Sequence, residues 1–194
     1  MSSVLAAPPR GLAAIASADL PKYLTRDEVH ALIEACTTPR NRLMVRTMWQ
    51  TGVRVSELLS LTPDSVDWNA QVLRVRTLKR RDHIRSVPLR SGLLGELARH
   101  IAGGGIAGDR RLFPVTRQRV HQIVARAARQ AGLPDDRAHP HVLRHSFAIA
   151  CVLGRAPVLV LNEWLGHSTL EATLIYTKIM CADSRRYLDE VDFG

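Results

Sequence analysis

Four segments of the 194-residue chain set a phosphate-binding or proton-transfer group beside an apolar frame. In Thr51-Gly52-Val53-Arg54-Val55-Ser56-Glu57-Leu58-Leu59, the apolar Val55, Leu58 and Leu59 recur at helical spacing, so Arg54 opens a short helix. A guanidinium at a helix start suits a phosphate oxygen, because the first backbone N–H groups are unsatisfied and positive. Pairing with Glu57 at i+3 is the other use of the same side chain. In His139-Pro140-His141-Val142-Leu143-Arg144-His145, His141 and Arg144 stand three apart and project from one face of a helix beginning at Pro140. Side by side, an imidazole and a guanidinium hold and protonate a phosphoryl oxygen. His141 and His145 also have the i,i+4 spacing of a zinc pair, but no carboxylate or thiolate lies nearby in sequence to complete it. No metal site is therefore expected, and His145 reads as a helix-packing residue. In Trp164-Leu165-Gly166-His167-Ser168-Thr169, Gly166 ends a helix and leaves His167 in the turn, where capping and packed histidines also occur. In Thr173-Leu174-Ile175-Tyr176-Thr177, a phenol sits in an apolar helix. As a nucleophile it needs a base or cationic surroundings, because its ordinary pKa is about 10.

These segments lie far apart in the chain, so the elements between them must gather them. Thr25-Arg26-Asp27-Glu28 has the spacing of a capping box and predicts a first helix carrying Val29, Leu32 and Ile33. A second helix is expected from about Asn41 to Gln50, ending at Thr51-Gly52, and a third over 54–61, halted by Pro63. The period then changes. Gln71 to Thr77 and Ile84 to Leu89 alternate around the polar segment Lys79 to His83, which reads as a β-hairpin. Further helices are expected over 91–101, with a break at Gly103-Gly104-Gly105, and over 117–131, 141–153, 158–165, 169–177 and 182–190. Residues 1–22 are Ala/Pro/Ser-rich and read as a tail or linker stub. The expected fold is mainly α with a small antiparallel β-sheet, an α+β domain over 23–194.

Composition limits the function classes. Apolar residues at 46% and charged residues at 23% exclude a wholly disordered chain. Lys plus Arg number 27 against 18 Asp plus Glu, a net charge of +9, and the pI is about 10.5. That excess points to a polyanionic partner such as nucleic acid or an anionic membrane surface. The cations cluster: Arg74, Arg76, Lys79, Arg80, Arg81, Arg85 and Arg90 against the single acid Asp82, then Arg117, Arg119, Arg126 and Arg129 on one helix. Either group alone could be a solvated face. On a hairpin tip, though, the cations repel one another until a polyphosphate lies across them and releases counterions. Few aromatics interleave, which favours backbone binding to a duplex over base stacking. Three cysteines (Cys36, Cys151, Cys181) form no paired framework and fit a reducing compartment. No apolar run approaches a membrane span, and Pro8, Pro9, Arg10 and Gly11 break the only apolar stretch at the start.

Taken in order, Arg54, Lys79 on a hairpin, His141-x-x-Arg144, Leu165-Gly166-His167, and Tyr176 nine residues after that histidine, the chain resembles the tyrosine recombinase (phage integrase) family. The segments that carry the resemblance read TGVRVSELLSL, TLKRRDHIRSVPL, HPHVLRHSFA and LGHSTLEATLIYT, and it covers about residues 23–180. It implies the DNA breaking-rejoining fold and an activity: a tyrosine hydroxyl attacks a DNA phosphodiester, giving a 3′-phosphotyrosyl link and a free 5′-hydroxyl, and a second strand reverses the step. No cofactor and no obligatory metal are implied. Carried over, Tyr176 is the nucleophile, Arg54 and Arg144 clamp the nonbridging oxygens, His141 is a general base or proton shuttle, and His167 donates to the phosphate. Glu57 matches the acidic position that orients its neighbours. Lys79 is the general acid for the departing 5′-oxygen; an ungapped alignment from Val87-Pro88-Leu89 puts Arg80 there instead, but arginine holds its proton too firmly for that work. Arg74, Arg76, Arg80, Arg81, Arg85, Arg117 and Arg119 are expected to bind double-stranded DNA.

Family members commonly carry a helical DNA-binding domain before the catalytic one, and only about twenty residues precede the catalytic segment here, so no separate core-binding domain is expected. Self-association on DNA, as a tetramer in synapsis, or an accessory DNA-binding protein then gains importance. Residues 182–193 resemble the terminal helix that members pack on a neighbouring protomer. The implied location is the cytoplasm of a bacterial cell, on the nucleoid when bound to DNA. The competing readings are a non-catalytic DNA-binding regulator of the same fold, which has no need of Tyr176 or His141, and a type IB topoisomerase, which the short chain and the Leu165-Gly166-His167 segment disfavour.

Overall fold

The structure, a computed structural model, describes residues 21–76 and 84–181. Residues 1–20 of the tail expected over 1–22, the hairpin tip with Lys79, Arg80 and Arg81, and the expected helix over 182–190 lie outside the described residues. Helix α1 (Arg26–Glu34) starts at the Thr25/Glu28 capping box and buries Val29, Leu32 and Ile33. Helix α2 (Pro39–Thr51) starts two residues earlier than expected, because the Thr38 hydroxyl caps it and Pro39 fits its first turn. It buries Leu43, Met44, Val45 and Met48 and ends at Gly52.

Gly52 is required twice over. Its φ of +64° is left-handed, and a Cβ there would lie 2.4 Å from Cδ1 of Phe147. Gly52→Ala should therefore cost the fold roughly 2–5 kcal/mol, the left-handed penalty added to overpacking. Urea denaturation checks it. A loss of only about 1–2 kcal/mol would show that Phe147 yields and that the left-handed penalty alone remains.

Helix α3 (Val55–Leu58) is shorter than expected: Ser60 and Leu61 turn into i→i+3 bonds with Glu57 and Leu58, and Pro63 disfavours helical backbone at Thr62. The sheet has the order β1-β2-β3, with β1 (Val66–Asp67), β2 (Val72–Arg76) and β3 (Ile84–Pro88) antiparallel. At two residues, β1 is too short for an alternation to show. Leu73 faces Val87 and Val75 faces Arg85 across the hairpin, and all four side chains are buried. Arg85 is thus on the core face and Ile84 on the solvent face, opposite to a DNA-binding role for Arg85.

Helix α4 (Ser91–Gly104) runs through Gly103 and Gly104 instead of breaking before them. Buried Leu93 and Leu97 hold it, and each exposed glycine costs only about 1 kcal/mol. Helix α5 (Arg117–Gln130) is capped by Thr116, and α6 (Pro140–Leu153) starts on Pro140. Helix α7 (Val158–Leu165) ends at Gly166, as expected. The helix expected over 169–177 is instead α8 (Glu171–Leu174), a 3-10 turn over Ile175–Thr177 and α9 (Lys178–Cys181).

Two apolar clusters make the core. One joins α1, α2, the sheet, α4 and α5 to the start of α6; the other gathers Phe147, Ile149 and Val152 of α6 with Leu161, Leu165, Tyr176 and Ile179. Helix α6 belongs to both, so the residues it carries are held rigidly between them. Among the described residues no helix is long and apolar enough to cross a membrane.

Candidate active site

Arg54 is the N-cap residue of α3, and Glu57 sits in the first turn. The Glu57 carboxylate accepts from the Arg54 backbone N–H (2.7 Å) and from its guanidinium (3.0 Å). The helix-start and ion-pair readings of Arg54 are both realised, and about a third of its side chain stays exposed. Beneath it Arg85 makes a fork: Nη1 donates to Oε1 at 2.9 Å, Nη2 to Oε2 at 2.7 Å, and Nε to the carbonyl of Trp164 at 2.8 Å. Both Glu57 and Arg85 are 1% exposed. Burial pushes the Glu57 carboxyl up, but the Arg85 fork and the Arg54 donors outweigh it and hold the group below its ordinary range. Gly166 makes this possible, since a Cβ there would lie 2.9 Å from Arg85 Nη1. The Arg85–Glu57 pair thereby ties the hairpin, α3 and the turn after α7 into one frame.

Arg144, on α6, is 3% exposed. It donates to the carbonyls of Gly52 (2.6 Å) and Leu165 (2.7 Å), the last turns of α2 and α7. Among the described residues no carboxylate lies within ion-pair distance of it, because Glu57 is occupied by Arg85 and Arg54. Burial and the neighbouring Arg54 cation pull its pKa down to about 9, so it remains protonated at neutral pH. Its Nε–H and one hydrogen on each terminal nitrogen remain to donate. A buried cation with spare donors and no carboxylate is an anion site.

Imidazoles surround this cation. His167 Nδ1 lies 2.8 Å from the Thr173 hydroxyl, which donates to Asn162 Oδ1 at 2.7 Å. The hydroxyl's one proton is spent on Asn162, so His167 Nδ1 donates to it and the lone pair of the neutral ring is on Nε2. Burial and the Arg144 and Arg54 cations push His167 down to about 4. His141 is solvent-facing at the start of α6, and its imidazole is lowered by desolvation and by Arg144. The Tyr176 ring lies 6.5 Å from that of His167, nearly parallel to it, and its hydroxyl is 2.9 Å from His145 Nδ1. Burial raises the phenol pKa, against the lowering effect of Arg144 and Arg54.

The structure thus brings Arg54, Glu57, Arg144, His141, His167 and Tyr176 together; Lys79 lies outside the described residues. Two readings are corrected. Arg85 does not face solvent as a DNA-binding residue but is locked under the site, and it shares parity along β3 with apolar Val87 and Leu89, a signal present in the sequence. His145 is no mere packing residue, since it touches the phenol. Asn162 and Thr173 carry no motif of their own and emerge only from the fold. Arg74, Arg76, Arg117 and Arg119 are exposed, with Arg74 paired to Asp67 at 2.5 Å. Among the described residues no cluster of His, Cys, Asp or Glu could hold a metal ion.

Residues 22–181 match the sequence model of the Phage integrase family, and the chain belongs to that family. It is 33% identical over 177 residues to the tyrosine recombinase XerA of Thermococcus kodakarensis, covering 86% of this chain and 61% of that relative. The crystal structure of XerA recombinase superposes with a TM-score of 0.73 at 28% identity, over 90% of this chain and 67% of that one. The XerH site-specific recombinase in a pre-cleavage complex with its difH substrate gives 0.72 at 25% identity, over 82% of this chain and 50% of that one. The chain therefore spans under two thirds of the length of the XerA relative.

Proposed function

We propose that this chain is a site-specific DNA recombinase that breaks and rejoins duplex DNA through a 3′-phosphotyrosyl intermediate. The observation that carries the reading is Arg144, a buried guanidinium with no carboxylate partner among the described residues, beside a buried tyrosine. A scissile phosphate between Arg144 and Arg54 supplies the missing anion, and both cations stabilise the charge that builds on the nonbridging oxygens. The Tyr176 hydroxyl oxygen attacks phosphorus, the P–O5′ bond breaks, and the 5′-oxygen leaves as a hydroxyl; Lys79 is proposed to supply its proton. His141, which faces the solvent and stacks on the ring of His145, is the proposed shuttle by which the phenol's own proton reaches water. His167 donates to the phosphate once the arriving negative charge has favoured a second proton on Nε2. The exposed Arg74, Arg76, Arg117 and Arg119, with Arg80 and Arg81, bind the duplex backbone. Synapsis brings four copies together on two duplexes, in the cytoplasm where the DNA lies.

Covalent capture tests the reading. The full chain is incubated with nicked duplexes carrying a randomised stretch, and denaturant-resistant protein–DNA complexes are recovered and sequenced. Wild type should yield complexes enriched for one sequence, and Tyr176→Phe should yield none. Binding without any covalent product would identify a regulator, and sequence-independent relaxation of supercoiled DNA a topoisomerase.

A further inference from the structure

Tyr176 lies on a weakly built stretch of the site. From Glu171 to Cys181 the chain forms a four-residue helix, a 3-10 turn and a second four-residue helix, none long enough to hold itself by backbone hydrogen bonds alone. Helix α6 is the opposite: 14 residues long and buried along Val142, Leu143, Arg144, Phe147, Ala148 and Ile149. His145 joins the two, with Nδ1 2.9 Å from the Tyr176 hydroxyl and ring centroids 5.9 Å apart.

The state of each group allows the phenol to be the donor in that hydrogen bond. Burial keeps the proton on the phenol, whose pKa is raised. Burial, the stacked His141 ring and the Arg144 cation push His145 down to about 4, so its ring is neutral and has one lone pair. A phenol O–H donating to a neutral imidazole satisfies both.

We propose that His145 is a positioning residue for the nucleophile: its Nδ1 accepts the Tyr176 hydroxyl hydrogen bond and docks the phenol against α6, one residue from Arg144. One rigid helix then carries both the phosphate clamp and the guide for the attacking oxygen, so the distance between them does not depend on the short segments around Tyr176. The kinetic consequence rests on the phosphotyrosyl reading; the contact itself exists without DNA.

Two measurements separate them. In the DNA-free full chain labelled with 15N-histidine, the His145 signals are assigned by their loss in His145→Asn. Nδ1 should be unprotonated and hydrogen-bonded, and its resonance should move when Tyr176→Phe removes the hydroxyl. A protonated Nδ1, or indifference to Tyr176→Phe, overturns the proposal. In single-turnover cleavage of a nicked duplex obtained by covalent capture, His145→Leu should slow cleavage roughly 10- to 100-fold, the scale of a misplaced reacting group, with DNA affinity retained. His145→Asn places an acceptor oxygen near the Nδ1 position and should recover the rate to within about threefold of wild type, since a neutral hydrogen bond is all that is replaced. Asparagine as slow as leucine, or leucine as fast as wild type, overturns the proposal. If wild type itself forms no covalent complex, the recombinase reading fails while the resonance data still decide the contact.

Discussion

Arg144→Ala should slow covalent cleavage by about 10³-fold or more while changing duplex affinity less than tenfold. The rate effect follows from where the charge sits. A preorganised donor aimed at a developing oxyanion is worth about 10²–10³ in rate, and Arg144 combines several spare donors with a full charge on a buried side chain. Binding is another matter. On the proposed reading, affinity for a duplex comes from many phosphate contacts spread over the exposed arginines, and losing one changes the salt slope by about 1. Arg144→Lys should not restore the rate, because a point-like ammonium cannot hold the Gly52 and Leu165 carbonyls and a phosphate in one plane. Single-turnover kinetics with the alanine and lysine variants, alongside binding isotherms at two salt concentrations, give both numbers. A collapse of affinity in step with the rate would make Arg144 a binding residue and remove it from the transition state.

The same residue shows how far the sequence carried. The i,i+3 spacing of His141 and Arg144 predicted a shared helix face, and it is realised, but Arg144 is buried while His141 faces solvent. Local chemistry was legible throughout: the Thr25/Glu28 capping box, the Gly52 and Gly166 stops and the antiparallel hairpin all follow from neighbours within a few residues. What local patterns could not show is long-range pairing. Arg85 meets Glu57 across 28 residues and the Trp164 carbonyl across 79, and its row of like charges in the sequence disguised a core position. His145 was legible only as one more residue on a helix, because its partner lies 31 residues on in a 3-10 turn that no periodicity marks. Strand parity and buried-charge accounting would have found the first; only the assembled fold reveals the second.

Glu57→Gln should destabilise the fold by about 3–5 kcal/mol, the cost of leaving a buried charge without its partner. Glutamine keeps the shape and one acceptor oxygen, but it gives Arg85, which is fully enclosed, no counter-charge. The effect should therefore be repaired in part by removing the cation too: Glu57→Gln with Arg85→Met should be more stable than Glu57→Gln alone, since replacing a buried pair by apolar groups is often neutral. Acid titration supplies a second signature. The Glu57 carboxyl is held below 4.5 in the folded state, so the unfolded chain binds more protons between the two values. Its contribution is fully present above about pH 4.5 and is lost as the pH falls through the folded value. His145 and His167, lowered from 6.5 to about 4, bind fewer protons folded than unfolded and erode stability from pH 6.5 down to about 4. That slope is common to wild type and Glu57→Gln. Below pH 4.5 the slopes should differ: wild type also loses the Glu57 contribution, while the variant has no carboxylate at position 57 to neutralise, so the gap between them narrows. Urea midpoints measured from pH 7 to pH 3 read both windows. Curves that stay parallel below pH 4.5 would mean that the carboxylate is not what holds Arg85 beneath the site.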